Sequence, residues 1–276
     1  MNIEKLRMFY GLKWNPFARE LPQEALITNA RIKHFGWKVE NLVLDGGFGL
    51  IVGESGLGKS VIFRLLHERL SQVGDISVAE FTRPQSGITD FYRELGKLFG
   101  IDFKTGNRFG GHQQLRDKWN AHINTTLFRP VLLIDESQEM HSVVLSELRL
   151  LASTSFDSKV ILTAVLGGDS RLLQKLDQSD LLPLKSRIRA RLHLEEYTRD
   201  ELIELLKEAL AKAGNPGLMT MNLMETVADH SVGNPRTMMS TCDELLLEAF
   251  NREVKQLDEK FFIELFSSRM PKRRKK

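Results

Sequence analysis

The stretch Phe48–Ser60, FGLIVGESGLGKS, restricts this chain more than any other, because it joins a short apolar run to a glycine-rich loop ending in Gly58-Lys59-Ser60. Leu50–Val52 reads as a buried strand and Val61–Leu70 as the helix after it, the context in which G-x-x-x-x-G-K-[ST] holds phosphate. Glycines let the chain curl so that N–H groups along Gly53, Glu54, Ser55, Gly56, Leu57, Gly58, Lys59, Ser60 and Val61 face one anion. The opening helix adds the positive end of its dipole. Lys59 supplies a point charge for the β and γ phosphates of ATP, and the Ser60 hydroxyl is suited to Mg²⁺. A glycine-rich turn with no ligand is the plain alternative.

A second piece of chemistry lies some 75 residues downstream, in Pro130–Glu136, PVLLIDE. A continuous apolar run of this length reads as a strand buried on both faces, and acids at the carboxyl end of such a strand face a ligand crevice. Asp135 is suited to hold Mg²⁺, and Glu136 to orient the attacking water and draw off its proton.

No apolar run approaches the roughly 20 residues that span a bilayer, and the N-terminus has no signal-peptide core, so the expected compartment is the cytoplasm, with no membrane partner. Cys242 is the single cysteine, which excludes an internal disulfide and any cysteine-cluster metal site; its helical apolar surroundings read as burial. The net charge of +3 is misleading until it is located. The last eight residues, RMPKRRKK, carry six positive charges, so the preceding 268 sum to −3. Such a tail neutralises nucleic-acid phosphates without reading sequence, or serves only as a solvated terminus.

Strands and helices alternate from Leu50 onward: a strand at Ile76–Phe81, helices at Ile88–Leu98, Gln113–Asn124 and Val143–Ala152, and a strand at Lys159–Leu166. This points to an α/β fold with a doubly wound parallel sheet. Before it, Ala25–Asn41 reads as a helix and Leu42–Gly47 as a loop. Asn15, Pro16 and Phe17, with Trp14, form an aromatic turn suited to wall an adenine, or simply to staple the N-terminal segment onto the core. The polar stretch 100–111 offers Lys104, Thr105, Asn107 and Arg108 to a DNA backbone, or is a plain surface loop. In 181–194, alternate Arg187, Arg189 and Arg191 share a face if extended, and Arg187 is a candidate arginine finger toward a neighbouring subunit. From Tyr197 the chain reads as all helix. Thr198 and Glu201 make a capping box, and Gly233-Asn234-Pro235-Arg236 opens a later helix, with Arg236 placed to reach a nucleotide from a helical lid. The expected domains are an N-terminal segment (1–45) packed on the core, an α/β nucleotide-binding core (46–194), a small C-terminal helical lid (195–266) and the basic tail (267–276).

Together these motifs resemble an AAA+ ATPase. More narrowly, FYGLKWNPF, GESGLGKS, LLIDESQ, LKSRIRARLHLEEYTRDE and GNPRTMMSTCDELLLEA resemble, in order and spacing, the ExeA-type branch, whose relatives include MuB-like and TnsC-like transposition regulators. The resemblance implies a P-loop AAA+ fold, with Lys59 and Ser60 as Walker-A contacts, Asp135 and Glu136 as Walker-B acids, Arg187 as finger and Arg236 as second sensor. It implies hydrolysis of ATP with Mg²⁺, assembly of a ring or filament of subunits on double-stranded DNA, and a transposase as partner, with a target-selection protein as a further candidate. The alternatives it leaves are a secretion-associated ATPase and an ATP-binding scaffold without DNA. One place departs from the pattern: where many AAA+ proteins end the fourth core strand with a polar sensor, this chain reads Gly167-Gly168-Asp169, and the expected hydrolysis is therefore slow.

Overall fold

Three of the apolar runs become strands with nearly every residue buried, and their burial decides where they sit. In the computed structural model, which describes residues 3–101, 108–125, 129–154 and 159–267, five parallel strands form one sheet: β1 (Gly47–Val52), β2 (Ile76–Phe81), β3 (Arg129–Ile134), β4 (Thr163–Gly168) and β5 (Ile188–His193). Their order is β5-β1-β4-β3-β2. All of β1 and β4, and β3 after its first residue, are buried, as strands flanked on both sides and covered on both faces must be. The edge strand β5 instead alternates strictly, with Arg189, Arg191 and His193 exposed. Charged side chains on an edge discourage pairing with another sheet.

The pleat sorts the apolar side chains into two layers. Phe48, Leu50, Val52, Leu132, Ile134 and Leu166 face α4 (Ile88–Leu98), α5 (Arg108–Thr125), α6 (Ser142–Leu151), α7 (Ser170–Leu176) and α8 (Leu182–Lys185). Ile51, Val131, Leu133 and Val165 face α2 (Ala30–Asp45) and α3 (Lys59–Ser71), packing with Phe35, Val39, Ile62 and Leu66.

Several boundaries differ from the sequence reading. The helix expected over 25–41 is a short 3₁₀ turn at Gln23–Ala25 and then α2, which starts where Asn29 accepts from the Ile32 N–H and runs on to Asp45. The loop expected at 42–47 is thus mostly helix, stopped by Gly46 at φ 74°. The strand expected over 159–166 divides: Lys159–Val160 pairs antiparallel with Ser153–Thr154, and β4 begins only at Thr163. Of the three alternate arginines, Arg187 lies in the turn after α8, so only Arg189 and Arg191 share the exposed face of β5.

The chain divides into two compact units, the α/β unit above (28–55 and 59–195) and a helical unit (3–27, 56–58 and 196–267). The helical unit holds α1 (Ile3–Tyr10), α9 (Arg199–Ala213), α10 (Met221–His230), α11 (Pro235–Asn251) and α12 (Glu259–Ser267). Thr198 and Glu201 complete the capping box of α9, and Asn234 caps α11 with Pro235 at its first turn. Leu6, Tyr10, Leu12 and Phe17 are buried among Leu206, Leu210, Leu223 and Leu245. The first 27 residues therefore belong to the helical unit rather than to the α/β core, because their apolar side chains complete its interior. Cys242 is buried there as well, and burial pushes its thiol pKa up. No helix among the described residues is long and apolar enough to cross a membrane.

Candidate active site

The sheet register brings the two sequence motifs to one edge. Val52 lies beside Gly168, and Ile134 beside Leu166, so the phosphate loop, the Asp135–Glu136 pair and the end of β4 all emerge at the carboxyl ends of three adjacent strands. That edge is where ligands bind in open α/β sheets.

Lys59 opens α3 and is 6% exposed, with its Nζ donating to the carbonyls of Gly53 (2.7 Å) and Glu54 (3.2 Å). The ammonium is thus held over the loop by the loop's own backbone. Ser60 Oγ donates to Asp135 Oδ2 at 2.8 Å, and Asp135 Oδ1 accepts from the Glu136 N–H at 2.9 Å. Adjacent ligands of an octahedral ion with bonds of about 2.1 Å stand about 2.9 Å apart, so these two hard oxygens fit a shared Mg²⁺. Among the described residues there is no cluster of three or more His, Cys, Asp or Glu, so an ion here would take its other ligands from nucleotide and water.

Glu136 sits in the left-handed region at φ 52°, ψ 37°, a conformation that costs a non-glycine residue roughly 1–2 kcal/mol. The turn ends β3 abruptly and leaves the carboxylate exposed at the strand end. Its Oε2 accepts from Gln138 Nε2. Ser137 Oγ donates to the Ile134 carbonyl at 2.9 Å, and Lys175 Nζ donates to the carbonyls of Gln138 and Met140, the latter at 2.7 Å. The turn that carries the acid is therefore tied to both β3 and α7.

At the end of β4, Asp169 caps α7 and is bound by Arg171, whose guanidinium holds its carboxyl below the usual carboxylate range, with Lys59 adding to the effect. Gly167 and Gly168 are glycine for want of space. A Cβ on Gly167 would lie 2.2 Å from Phe63 Cε2, and one on Gly168 would lie 2.7 Å from Gln138 Oε1.

The structure brings Lys59, Ser60, Asp135 and Glu136 together, as the motifs require. Gly53, Glu54, Ser55 and Val61 flank them in the α/β unit. Gly56, Leu57 and Gly58 group with the helical unit, where Gly56 (φ 91°) accepts at its carbonyl from the Arg236 N–H and a Cβ would meet Asn234 Oδ1 at 2.3 Å. Gly58 has open space around it but φ 100°, so backbone conformation alone requires glycine there. In the helical unit Asn15 uses both ends of its amide, accepting from the Phe17 N–H and donating to Asp243, while Phe17 is 3% exposed within that unit's core. Arg187 is half-buried in its turn. Lys104, Thr105 and Asn107, the Arg108 side chain and the tail 269–276 lie outside the described residues. Sequence reasoning missed Gln138 and Lys175; Gln138 stood in the LLIDESQ motif, yet nothing in its spacing told that its amide turns back onto Glu136.

Comparison with known proteins agrees with this geometry. The family model described as an AAA domain matches residues 43–176, a span that holds the phosphate loop, both acids and β4. Residues 43–176 are thus similar in sequence to AAA domains. General secretion pathway protein A of Aeromonas hydrophila is 30% identical over 253 residues, 88% of this chain and 45% of that protein. The chain thus spans less than half the length of that relative. Among solved structures, the Aeropyrum pernix ORC2 protein in its ADP form superposes with a TM-score of 0.72 at 15% identity, over 91% of this chain and 71% of that one. Drosophila ORC bound to DNA gives 0.69 at 16%, over 97% and 66%. At such identities the likeness is one of fold: the fold is that of the P-loop AAA+ proteins.

Proposed function

We propose that this protein is a slow Mg²⁺-dependent ATPase that acts on double-stranded DNA as a regulator of transposition. Subunits assemble along duplex DNA with ATP, the assembly recruits a transposase, and hydrolysis releases it. The observation that carries the catalytic part is the Lys59–Ser60–Asp135–Glu136 constellation at the ends of β1 and β3. Lys59 holds the terminal phosphates, Ser60 and Asp135 hold the ion, and Glu136 orients water and takes its proton. A Mg²⁺ ion held by Ser60 and Asp135 would supply positive charge against the phosphates. Arg187 is the finger offered to a neighbouring subunit and Arg236 the second sensor, while the Asn15–Phe17 turn, whose Phe17 is buried in the helical unit's core, acts as a staple.

The DNA part is supported by the fold's likeness to ORC proteins, of which the Drosophila structure is described as bound to DNA, and by the basic run 269–276. Lys104, Thr105, Asn107 and Arg108 would add phosphate contacts that position without reading sequence. A second reading, a secretion-associated ATPase, is favoured by the 30% identity with General secretion pathway protein A.

Sedimentation and negative-stain imaging with duplex DNA, with and without a non-hydrolysable ATP analogue, separate the two. Ordered assemblies on DNA that need the nucleotide support the transposition reading. Nucleotide binding with no DNA dependence refutes it and favours the secretion role.

A further inference from the structure

The end of β4 presents two glycines to the crevice, and the space beside Gly168 is occupied by a side chain from the end of a different strand. Gln138 is 5% exposed and follows β3 in the turn after Glu136. Its Nε2 donates to Glu136 Oε2. Only the NH₂ end of an amide meets a carboxylate favourably, so that bond fixes which way the amide faces. Oε1 is therefore directed at Gly168, 2.7 Å from where a Cβ would stand, and no described residue donates to it. Among the described residues, the bond to Glu136 is the one hydrogen bond this buried amide makes.

An amide in this position is poor packing. Its oxygen is buried and meets no donor among the described residues, so an apolar side chain of the same length is expected to sit there at no loss of stability. The backbone beneath it is nevertheless held firmly, because Lys175 Nζ spans the carbonyls of Gln138 and Met140. A costly side chain on a fixed backbone, making one bond to the acid of the site, has that bond as its purpose. We infer that Gln138 is the positioning residue for Glu136, supplying from the β3 turn the polar contact that the glycine end of β4 does not provide. The inference rests on Glu136 being the base of ATP hydrolysis.

The test uses the full-length chain with Mg²⁺-ATP and four proteins: wild type, Gln138→Met, Glu136→Gln and the double variant. Gln138→Met keeps length and volume. Its kcat is expected to fall by about tenfold or more, with KM and ATP affinity within about threefold, because a misplaced base costs rate and not ground-state binding. Its thermal midpoint is expected to equal or exceed that of wild type. The double variant is expected to turn over no more slowly than Glu136→Gln alone, since Gln138 acts through that carboxylate. Wild-type kcat in Gln138→Met, or losses that add in the double variant, overturn the inference while the base role stands. A Gln138→Met protein that fails to fold shows the amide to be structural and overturns it equally. Wild-type turnover no faster than that of Glu136→Gln overturns the base role and the inference together.

Discussion

Gly167→Ala tests whether the end of β4 is glycine for reasons of space. The added methyl would lie 2.2 Å from Phe63 Cε2, 2.7 Å from its Cζ and 3.3 Å from Asp135 Oδ1. Carbon atoms pack best at about 3.5–4.0 Å, so the ring edge must withdraw by about 1.3 Å or more. Phe63 is 8% exposed and packs in the same layer as Ile51, Ile62, Leu66 and Val165, which leaves it no open side. Overpacking of this kind costs roughly 1–3 kcal/mol. At about 2–4 °C per kcal/mol for a protein of this size, a cost of 2 kcal/mol lowers the thermal midpoint by about 4–8 °C. Phe63 sits on the helix that begins at Lys59, and Asp135 Oδ1 must yield by a few tenths of an ångström, so Mg²⁺-ATP affinity should fall as well. Circular-dichroism melts of wild type, Gly167→Ala, Phe63→Leu and the double variant measure the effect. Shortening the ring should recover at least about half of the loss, a coupling that a double-mutant cycle isolates. An unchanged midpoint in Gly167→Ala, or the same cost with and without the ring, would refute the reasoning.

Four further outcomes are expected. Glu136→Gln should bind ATP normally, lose about 10²–10⁴-fold in turnover and accumulate as a nucleotide-bound assembly on DNA, as seen by sedimentation; normal turnover removes its role as base. Lys59→Ala should lose at least about a hundredfold in affinity for a fluorescent ATP analogue, and retained affinity would contradict the phosphate cradle. Deleting 269–276 removes six positive charges, so the salt dependence of DNA binding should flatten by up to about five units of log–log slope; an unchanged slope excludes the tail from the interface. Burial pushes the Tyr10 phenol from its ordinary value near 10 up to about 12. Between those values the folded state keeps a proton that the unfolded state has lost, so stability is full below pH 10 and falls as pH rises toward 12, by an amount of order 2 kcal/mol. Urea titrations across that window should show the decline in wild type and a flat profile in Tyr10→Phe. That variant should also start about 1 kcal/mol less stable, for loss of the bond to the Val254 carbonyl; a decline that persists in it assigns the titration elsewhere.

Local patterns carried much of this protein into view. The glycine loop, its strand and its helix are consecutive in the chain, so their spacing alone placed Lys59 and Ser60 at the start of a helix that follows a buried strand. Fully apolar runs became the buried strands β1, β3 and β4, and the alternating Arg189 and Arg191 belong to an edge strand. The caps at Thr198 and Asn234 were legible for the same reason: capping depends on residues three or four apart. Arg187 was misplaced on the strand face because alternation alone does not say where a strand begins.

Tertiary structure decided what depends on chain segments far apart. The 2.8 Å bond between Ser60 and Asp135 joins residues far apart in the chain, and it depends on the strand order β1-β4-β3, which no local periodicity encodes. The placement of residues 3–27 in the helical unit follows from long-range burial of Leu6, Tyr10 and Phe17. The glycines ending β4 read in sequence as a missing sensor; in the fold they are the space that Phe63 and Gln138 fill, because packing volume is a property of neighbours in space and not of neighbours along the chain.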